Sequence, residues 1–439
     1  MSLQADALQH GTQSRPWNLA DRIAFRFCLI YLASFSLCTQ IVTSLFPIPK
    51  IDIPDLDSFW PMSQIVLWTE VHILRIAQPI PWTETGSGDR MFDWAMVVSL
   101  LIISALATAL WSILDRKRES YATPYKWFLL FVRFALAGQM IIYGADKIIP
   151  LQMPFPSLVT LLKPFHAFSP MAVLWSSIGA ARAYEIFAGC AELLGGILLI
   201  VPRTATLGAL ICLADMTQVF LLNMSYDVPV KLLSFHLILM SLFLLFPERQ
   251  RLVDFFFRAR AVPPSRPPQL FLSRRKNRIA LWAQIAFGVW LVGMNAWGFA
   301  AVWNTYGGGR PKSSLYGIWD VEQLSIDGQI RPPLLTDNNR WRRAIFDYPH
   351  QMTLQRMDDS FSNYSASIDT KTAAISLTKP DDSRWKGKLT YQRVGGDHLI
   401  LDGAMDNHKV HMQLLRVDSN KFLLISRGFH WVQEFPFNR

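Results

Sequence analysis

The sequence predicts a polytopic α-helical membrane protein of about seven transmembrane helices, followed by a C-terminal antiparallel β-barrel domain. The chain is 51% hydrophobic and only 17% charged, too apolar a balance for a soluble protein of this length. Seven runs, near residues 23–46, 94–113, 127–149, 184–202, 204–223, 230–246 and 279–303, are long enough to span a hydrocarbon core of ~30 Å. Beyond residue 305 the composition turns polar, and short alternating runs replace the long apolar ones.

The elements follow in order. A polar N-terminal segment, residues 1–22, precedes the first long run, which argues against a cleaved leader. Residues 23–126 hold a first pair of spans joined by an external loop. In that loop Ile65, Leu67, Trp68, Val71, Ile73 and Leu74 alternate with Glu70, His72 and Arg75, the pattern of an interfacial helix over 63–78. Residues 127–247 form a four-helix bundle, 248–278 a basic loop, 279–304 the seventh span, and 305–314 a glycine-rich linker to the β-domain at 315–439.

Orientation follows from where the bases collect. Residues 248–278 hold nine Lys/Arg against Glu248 and Asp254, whereas 47–91 holds six acids and three bases. Basic loops stay cytoplasmic. The N-terminus is therefore expected in the cytoplasm of a bacterial inner membrane, with the β-domain on the periplasmic or extracytoplasmic side. The net charge of +10 concentrates in the same loops, which points to the lipid bilayer as partner rather than nucleic acid. Cys28, Cys38, Cys190 and Cys212 all fall within spans and show no metal-ligand spacing.

The bundle carries polar groups that lipid does not tolerate. Charges at bilayer depth cost a few kcal/mol or more each, so they face a bundle interior, pair, or mark a working site. The third span brings Arg133, Tyr143 and Lys147 onto one stripe, since spacings of four and fourteen residues return to one helix face. The fourth carries Arg182, Glu185 and Glu192, the fifth Asp215, Gln218 and Asn223, and the sixth Asp227, Lys231 and His236. Lys147, Arg182, Glu185, Asn223, Asp227 and Lys231 are expected at the outer rim, with Glu192, Asp215 and His236 deeper. Two readings stay open: ion pairs that hold the helices in register, or a polar funnel for proton-coupled chemistry.

The run Arg133 to Lys147 with Gly138 and Gly144, then Glu185-Ile-Phe-Ala-Gly189-Cys-Ala-Glu192-Leu-Leu-Gly195-Gly196, then Arg203-Thr204 before Gly208, resembles the DoxX-like family of four-helix membrane proteins. The extension from Leu222 to Lys231 resembles a subgroup with longer chains. The likeness covers about residues 127–246. Named members of that family are subunits of a thiosulfate:quinone oxidoreductase. The resemblance therefore implies a quinone-linked or sulfur-related redox role. Catalytic work would fall to Glu192, Asp215 and His236, and binding to Arg133, Tyr143, Lys147, Glu185, Asn223, Asp227 and Lys231, with a redox partner subunit as electron donor.

The tail reads as short strands near 318–326, 351–357, 363–368, 373–378, 386–393, 398–402, 409–417 and 421–426, separated by turns such as Asp327-Gly328. Gly317-Ile-Trp319 resembles the opening of lipocalin-like barrels, which implies that Trp319 closes the barrel floor and that a late base, Arg427, packs across it. Such barrels hold one small apolar ligand, whereas other small barrels are solid. The alternative role is thus a non-catalytic module that binds a lipophilic ligand or a partner protein. The ending from Arg427 to Arg439 is dense in aromatics and suggests docking onto the bundle mouth or the bilayer. A reporter fused after Arg439 should be active only outside the cytoplasm and one fused at Pro264 only inside. The opposite pair of results discards this map.

Overall fold

The computed structural model describes residues 17–48, 54–265 and 267–438. Residues 1–16 of the N-terminal segment, Lys50 and Asp52 of the external loop, Arg266 of the basic loop and Arg439 lie outside the described residues. The chain divides into two compact units, Met1–Ile149 with Ile186–Ala301, and Pro150–Glu185 with Val302–Arg439.

The helices in chain order are α1 (Leu19–Leu37), α2 (Gln40–Thr43), α3 (Met62–His72), α4 (Met91–Leu114), α5 (Ala122–Ile148), α6 (Leu158–Leu162), α7 (Pro170–Ala180), α8 (Arg182–Ile200), α9 (Ala205–Ser225), α10 (Lys231–Leu245), α11 (Arg249–Phe256), α12 (Arg274–Tyr306) and α13 (Leu423–Ser426). Among the described residues, six stretches are long and apolar enough to cross a membrane: α4, α5, α8, α9, the run Lys231–Phe256, and α12. The first of the seven expected spans departs from that description. Helix α1 carries Asp21, Arg22 and Arg26 in its opening turns, and Arg26 is buried, donating to Tyr121 Oη and Ser112 Oγ at 3.0 and 2.7 Å. The helix then breaks at Cys38 and Thr39. Ser36 and Thr39 hydroxyls turn back onto the Leu32 and Phe35 carbonyls, a pattern that bends helices, and Thr39 is extended at φ −135°.

Within the first unit small residues set the helix spacing. A Cβ on Gly144 of α5 would lie 2.7 Å from the Leu193 nitrogen of α8, and one on Gly189 of α8 would lie 2.7 Å from both the Gly144 oxygen and Lys147 Cβ. Gly208 of α9 meets the α8 backbone in the same way, 2.9 Å from the Leu199 nitrogen. In a membrane, where lipid is as apolar as leucine, such close backbone approach is what binds one helix to the next.

In the second unit, strands β1 (Gly317–Ile326), β2 (Gln329–Ile330), β3 (Trp341–Phe346), β4 (Gln351–Arg356), β5 (Phe361–Asp369), β6 (Ala374–Lys379), β7 (Asp382–Val394), β8 (His398–Met405) and β9 (His408–Arg416) form one antiparallel meander. β1 also pairs with β9. With β2 only a two-residue ribbon on β1, the result is a closed eight-stranded barrel. Side chains fill it: Trp319, Phe346, Met352, Leu389, Leu401 and Met412 belong to one buried cluster inside.

Closure and the α6 roof each account for one departure from the sequence reading. Residues 421–426, expected as a strand, form a short 3-10 turn and α13, because the β1–β9 pairing leaves no free edge for another strand. β3 escaped the period-two reading because its end is buried on both faces. Ala344 and Phe346 point into the barrel cluster, while Ile345 joins Ile318 and Leu158 in a separate buried cluster. That second cluster is roofed by α6. The Leu158 N–H donates to Asp347 Oδ2 at 2.9 Å, and burial raises the Asp347 carboxyl above its ordinary range, partly offset by that hydrogen bond and by Arg310 and Lys312.

Trp319 is 3% exposed, and its indole N–H reaches the Leu315 carbonyl at 3.0 Å. Gly317 beside it holds φ +148°, open to glycine and strained for other residues. The base in register with Trp319 is Arg416, not Arg427. Both the Arg416 guanidinium and the Trp319 indole come within 3.5 Å of the site a Gly317 Cβ would take. Arg427, carried away by the α13 turn, lies over the Phe437 ring at 3.9 Å and bonds Gln433. Trp319→Ala should destabilise the barrel by ~3 to 5 kcal/mol, as a large-to-small core change. Hydrogen exchange of the β1 and β9 amides in the full chain checks this, and unchanged protection refutes it.

Candidate functional site

The bundle's charged centre is an ion pair between Lys147 of α5 and Glu192 of α8. Lys147 Nζ donates to both carboxylate oxygens at 2.8 and 2.7 Å, and the two residues are 7% and 3% exposed. Lys147 Cβ lies against Gly189, one turn from Glu192 on the same helix. The lysine stem therefore runs along the glycine contact to reach its partner.

Around this pair stand two further carboxyl groups. Asp215 of α9 and Asp146 of α5 are both close enough to feel the charges of Lys147 and Glu192. One ammonium thus serves three carboxyl groups, and among the described residues its hydrogen bonds go to Glu192. Asp215 Oδ2 is buried and, among the described residues, has no hydrogen-bond partner. Tyr143 is the aromatic member: its ring lies 5.7 Å from Lys147 Nζ, and its hydroxyl accepts from Gln40 Nε2 at 2.8 Å. Gln40 also donates to Gln139 Oε1 at 3.1 Å. The break after α1 is what turns Gln40 toward α5. Sequence reasoning passed over Asp146, Gln40 and Gln139; an amide in a short apolar helix and a third acid beside Lys147 were the available signals.

Other expected site residues lie elsewhere. His236 of α10 is 2% exposed; Nδ1 is 2.7 Å from the Leu232 carbonyl and Nε2 2.7 Å from Tyr31 Oη. A carbonyl only accepts, so Nδ1 carries a hydrogen, and in the neutral ring Nε2 accepts from Tyr31. With its ring stacked at 3.5 Å on Phe35, His236 ties α10 to α1 and touches neither Glu192 nor Asp215. Arg133 donates to Gln284 of α12, so it shares a stripe with Lys147 but not a neighbourhood. Glu185 accepts from the Met153 N–H at 3.0 Å within the second unit.

The expected rim is held by a residue the sequence did not single out. Asp89 accepts from the Lys231 and Leu232 backbone N–H groups at 2.7 and 2.9 Å, a carboxylate on the positive end of α10. Lys231 pairs in turn with Asp227 at 3.0 Å and lies 3.7 Å from Asp89. Asn223 donates to Ser234 Oγ and the Val230 carbonyl. These contacts cap and pin helix ends.

Fold and site together define an integral membrane protein of apolar helices with a buried Lys–Glu pair, joined to a closed β-barrel. Over 139 residues the chain is 33% identical to the uncharacterized protein YwoB of Bacillus subtilis (strain 168), a stretch that makes up 32% of this chain and 84% of that protein. The chain belongs to the same family as that protein. No family model matches it, and no solved structure matches it.

Removing Lys147 would leave Glu192 charged, buried and alone. Lys147→Met should destabilise the bundle by ~3 to 5 kcal/mol, whereas the double change Lys147→Met with Glu192→Leu should recover most of that loss. Unfolding in mixed micelles measures both. A double variant no better than the single one would show that the pair is not the unit.

Proposed function

We propose that this protein is a quinone-linked redox component of the bacterial inner membrane, with its N-terminus cytoplasmic, its barrel extracytoplasmic, and its site at Asp215, Tyr143 and the Lys147–Glu192 pair. The reading joins the resemblance to the DoxX-like bundle with one observation: a buried carboxyl oxygen of Asp215, unpartnered, beside a charged pair. Such an orphan is costly at membrane depth unless a ligand or a proton uses it. A bound quinone would supply a two-electron, two-proton couple, with electrons from a partner subunit. The chain's own groups fit the proton side of that chemistry. Asp215 Oδ2 is free to hold a proton or accept a hydrogen bond, Lys147 keeps Glu192 charged and fixed, and the Tyr143 hydroxyl, accepting from Gln40, has its hydrogen left to donate. His236 and Glu192 serve here as positioning groups rather than catalytic residues.

A second reading, a non-catalytic module that works through its barrel, has its own support. Side chains pack the barrel interior, while Phe429, Trp431, Val432 and Phe435 are 75% to 91% exposed, a cluster suited to a bilayer surface or a partner protein. Under that reading the purified protein carries no quinone.

Asp215→Asn keeps size and removes titration. It should leave insertion and thermal stability unchanged while lowering thiosulfate-dependent quinone reduction by membranes ~100-fold or more, the range of a lost proton-transfer group. Full turnover in the variant, or purified wild-type protein that neither carries quinone nor reduces it, overturns the redox reading.

A further inference from the structure

At the end of the bundle where the basic loop enters α12, a cavity of about 660 Å³ opens between α5 and α12. Its α12 wall is a stripe, Lys276, Ile279, Ala280, Ala283, Gln284 and Phe287, at the three- and four-residue steps that keep side chains on one helix face. Its α5 wall is aromatic: Trp127 meets Phe271 edge to face at 5.7 Å, and Phe134 meets Phe287 at 5.4 Å. Apart from Gln284, which accepts from Arg133, the wall is apolar, with the Lys276 cation at one end. From Lys276 to Phe287 the helix rises ~16 Å at 1.5 Å per residue, close to half of a ~30 Å hydrocarbon core.

The charged end is built for an anion. Arg274, Arg275, Lys276 and Arg278 follow one another at the start of α12, all exposed, and no acidic side chain pairs with any of them among the described residues. Asn277 is engaged in holding Phe271 through its backbone N–H and carbonyl at 2.9 and 2.6 Å. Phe271 is thereby fixed as a wall of the cavity. Trp127 stands at the same level, where aromatic side chains mark the membrane interface.

We propose that this groove is a binding site for one anionic phospholipid, with an acyl chain along the α5–α12 walls and its phosphate at Lys276. A zwitterionic lipid would fill the apolar part equally well and bring a phosphate, but its own headgroup cation cancels that charge and leaves the four bases without a net counter-charge. An anionic headgroup answers both parts of the site. The site is separate from the Lys147–Glu192 centre, and the proposal does not rest on the redox reading.

Native mass spectrometry of the full-length protein, delipidated in detergent and then offered dioleoylphosphatidylglycerol, dioleoylphosphatidylcholine or a short-chain menaquinone, tests it. One phosphatidylglycerol per chain should be retained in preference to phosphatidylcholine. Lys276→Ala should cut that preference roughly fivefold, the effect of one base at an anionic surface. Ala283→Trp, which fills the groove without changing charge, should abolish retention of the bound lipid; a melting curve matching wild type confirms that the variant is folded. Should Ala283→Trp fail to fold, the Lys276→Ala result decides by itself. Equal retention of both phospholipids, retention indifferent to Lys276→Ala, or displacement of phosphatidylglycerol by menaquinone overturns the assignment.

Discussion

The ion pair between Lys147 and Glu192 is the constraint from which the bundle's arrangement follows. Each partner is nearly without solvent exposure, and in a low-dielectric interior neither charge is tolerable without the other. Two helices must therefore meet at one register only. Gly144 and Gly189 let them, since any side chain there would push α5 from α8 by its own width. The register in turn brings Asp146 of α5, and Asp215 of α9, within reach of the pair. An apolar seam could slide by a turn at little expense, but this one cannot.

That constraint also separates two roles which the sequence blended. Glu192, Asp215 and His236 look alike on a hydropathy plot: each is a titratable group in an apolar run. In space they differ by what satisfies them. Glu192 has a cation on both oxygens, His236 has a partner on each ring nitrogen, and Asp215 has a buried oxygen with none. Satisfaction, rather than residue type, is what tells the three apart.

What was legible in the sequence was whatever depends on local periodicity. The later spans, the linker and seven of the strands follow from the change between a period near 3.6 and a period of two, since each element buries one stripe or one face. The break after Leu37 was hidden because hydroxyl back-bonding leaves hydropathy unchanged. Strand β3 was hidden because α6 covers Ile345 from outside, so apolar residues appear on both of its faces. Site partners were the least legible. Tyr31 and His236 are 205 residues apart, and Asp89 reaches α10 across 142. Trp319 found its neighbouring base at Arg416 through barrel register, which spacing along the chain cannot reveal.

The roof that α6 makes over the barrel has a consequence for synthesis. The Leu158 N–H and its acceptor Asp347 are separated by 189 residues, nearly half the chain. At about 5 to 20 residues per second, the segment carrying Leu158 leaves the ribosome roughly ten to forty seconds before the strand it covers exists. During that interval Leu158, Val159, Leu161 and Leu162 have no barrel wall to lie against. Four helices must be delivered to the bilayer while this apolar segment waits. The order of manufacture thus leaves a sticky intermediate exposed until the last strand closes the cylinder, so a chaperone or the lipid surface itself has a window in which to hold it.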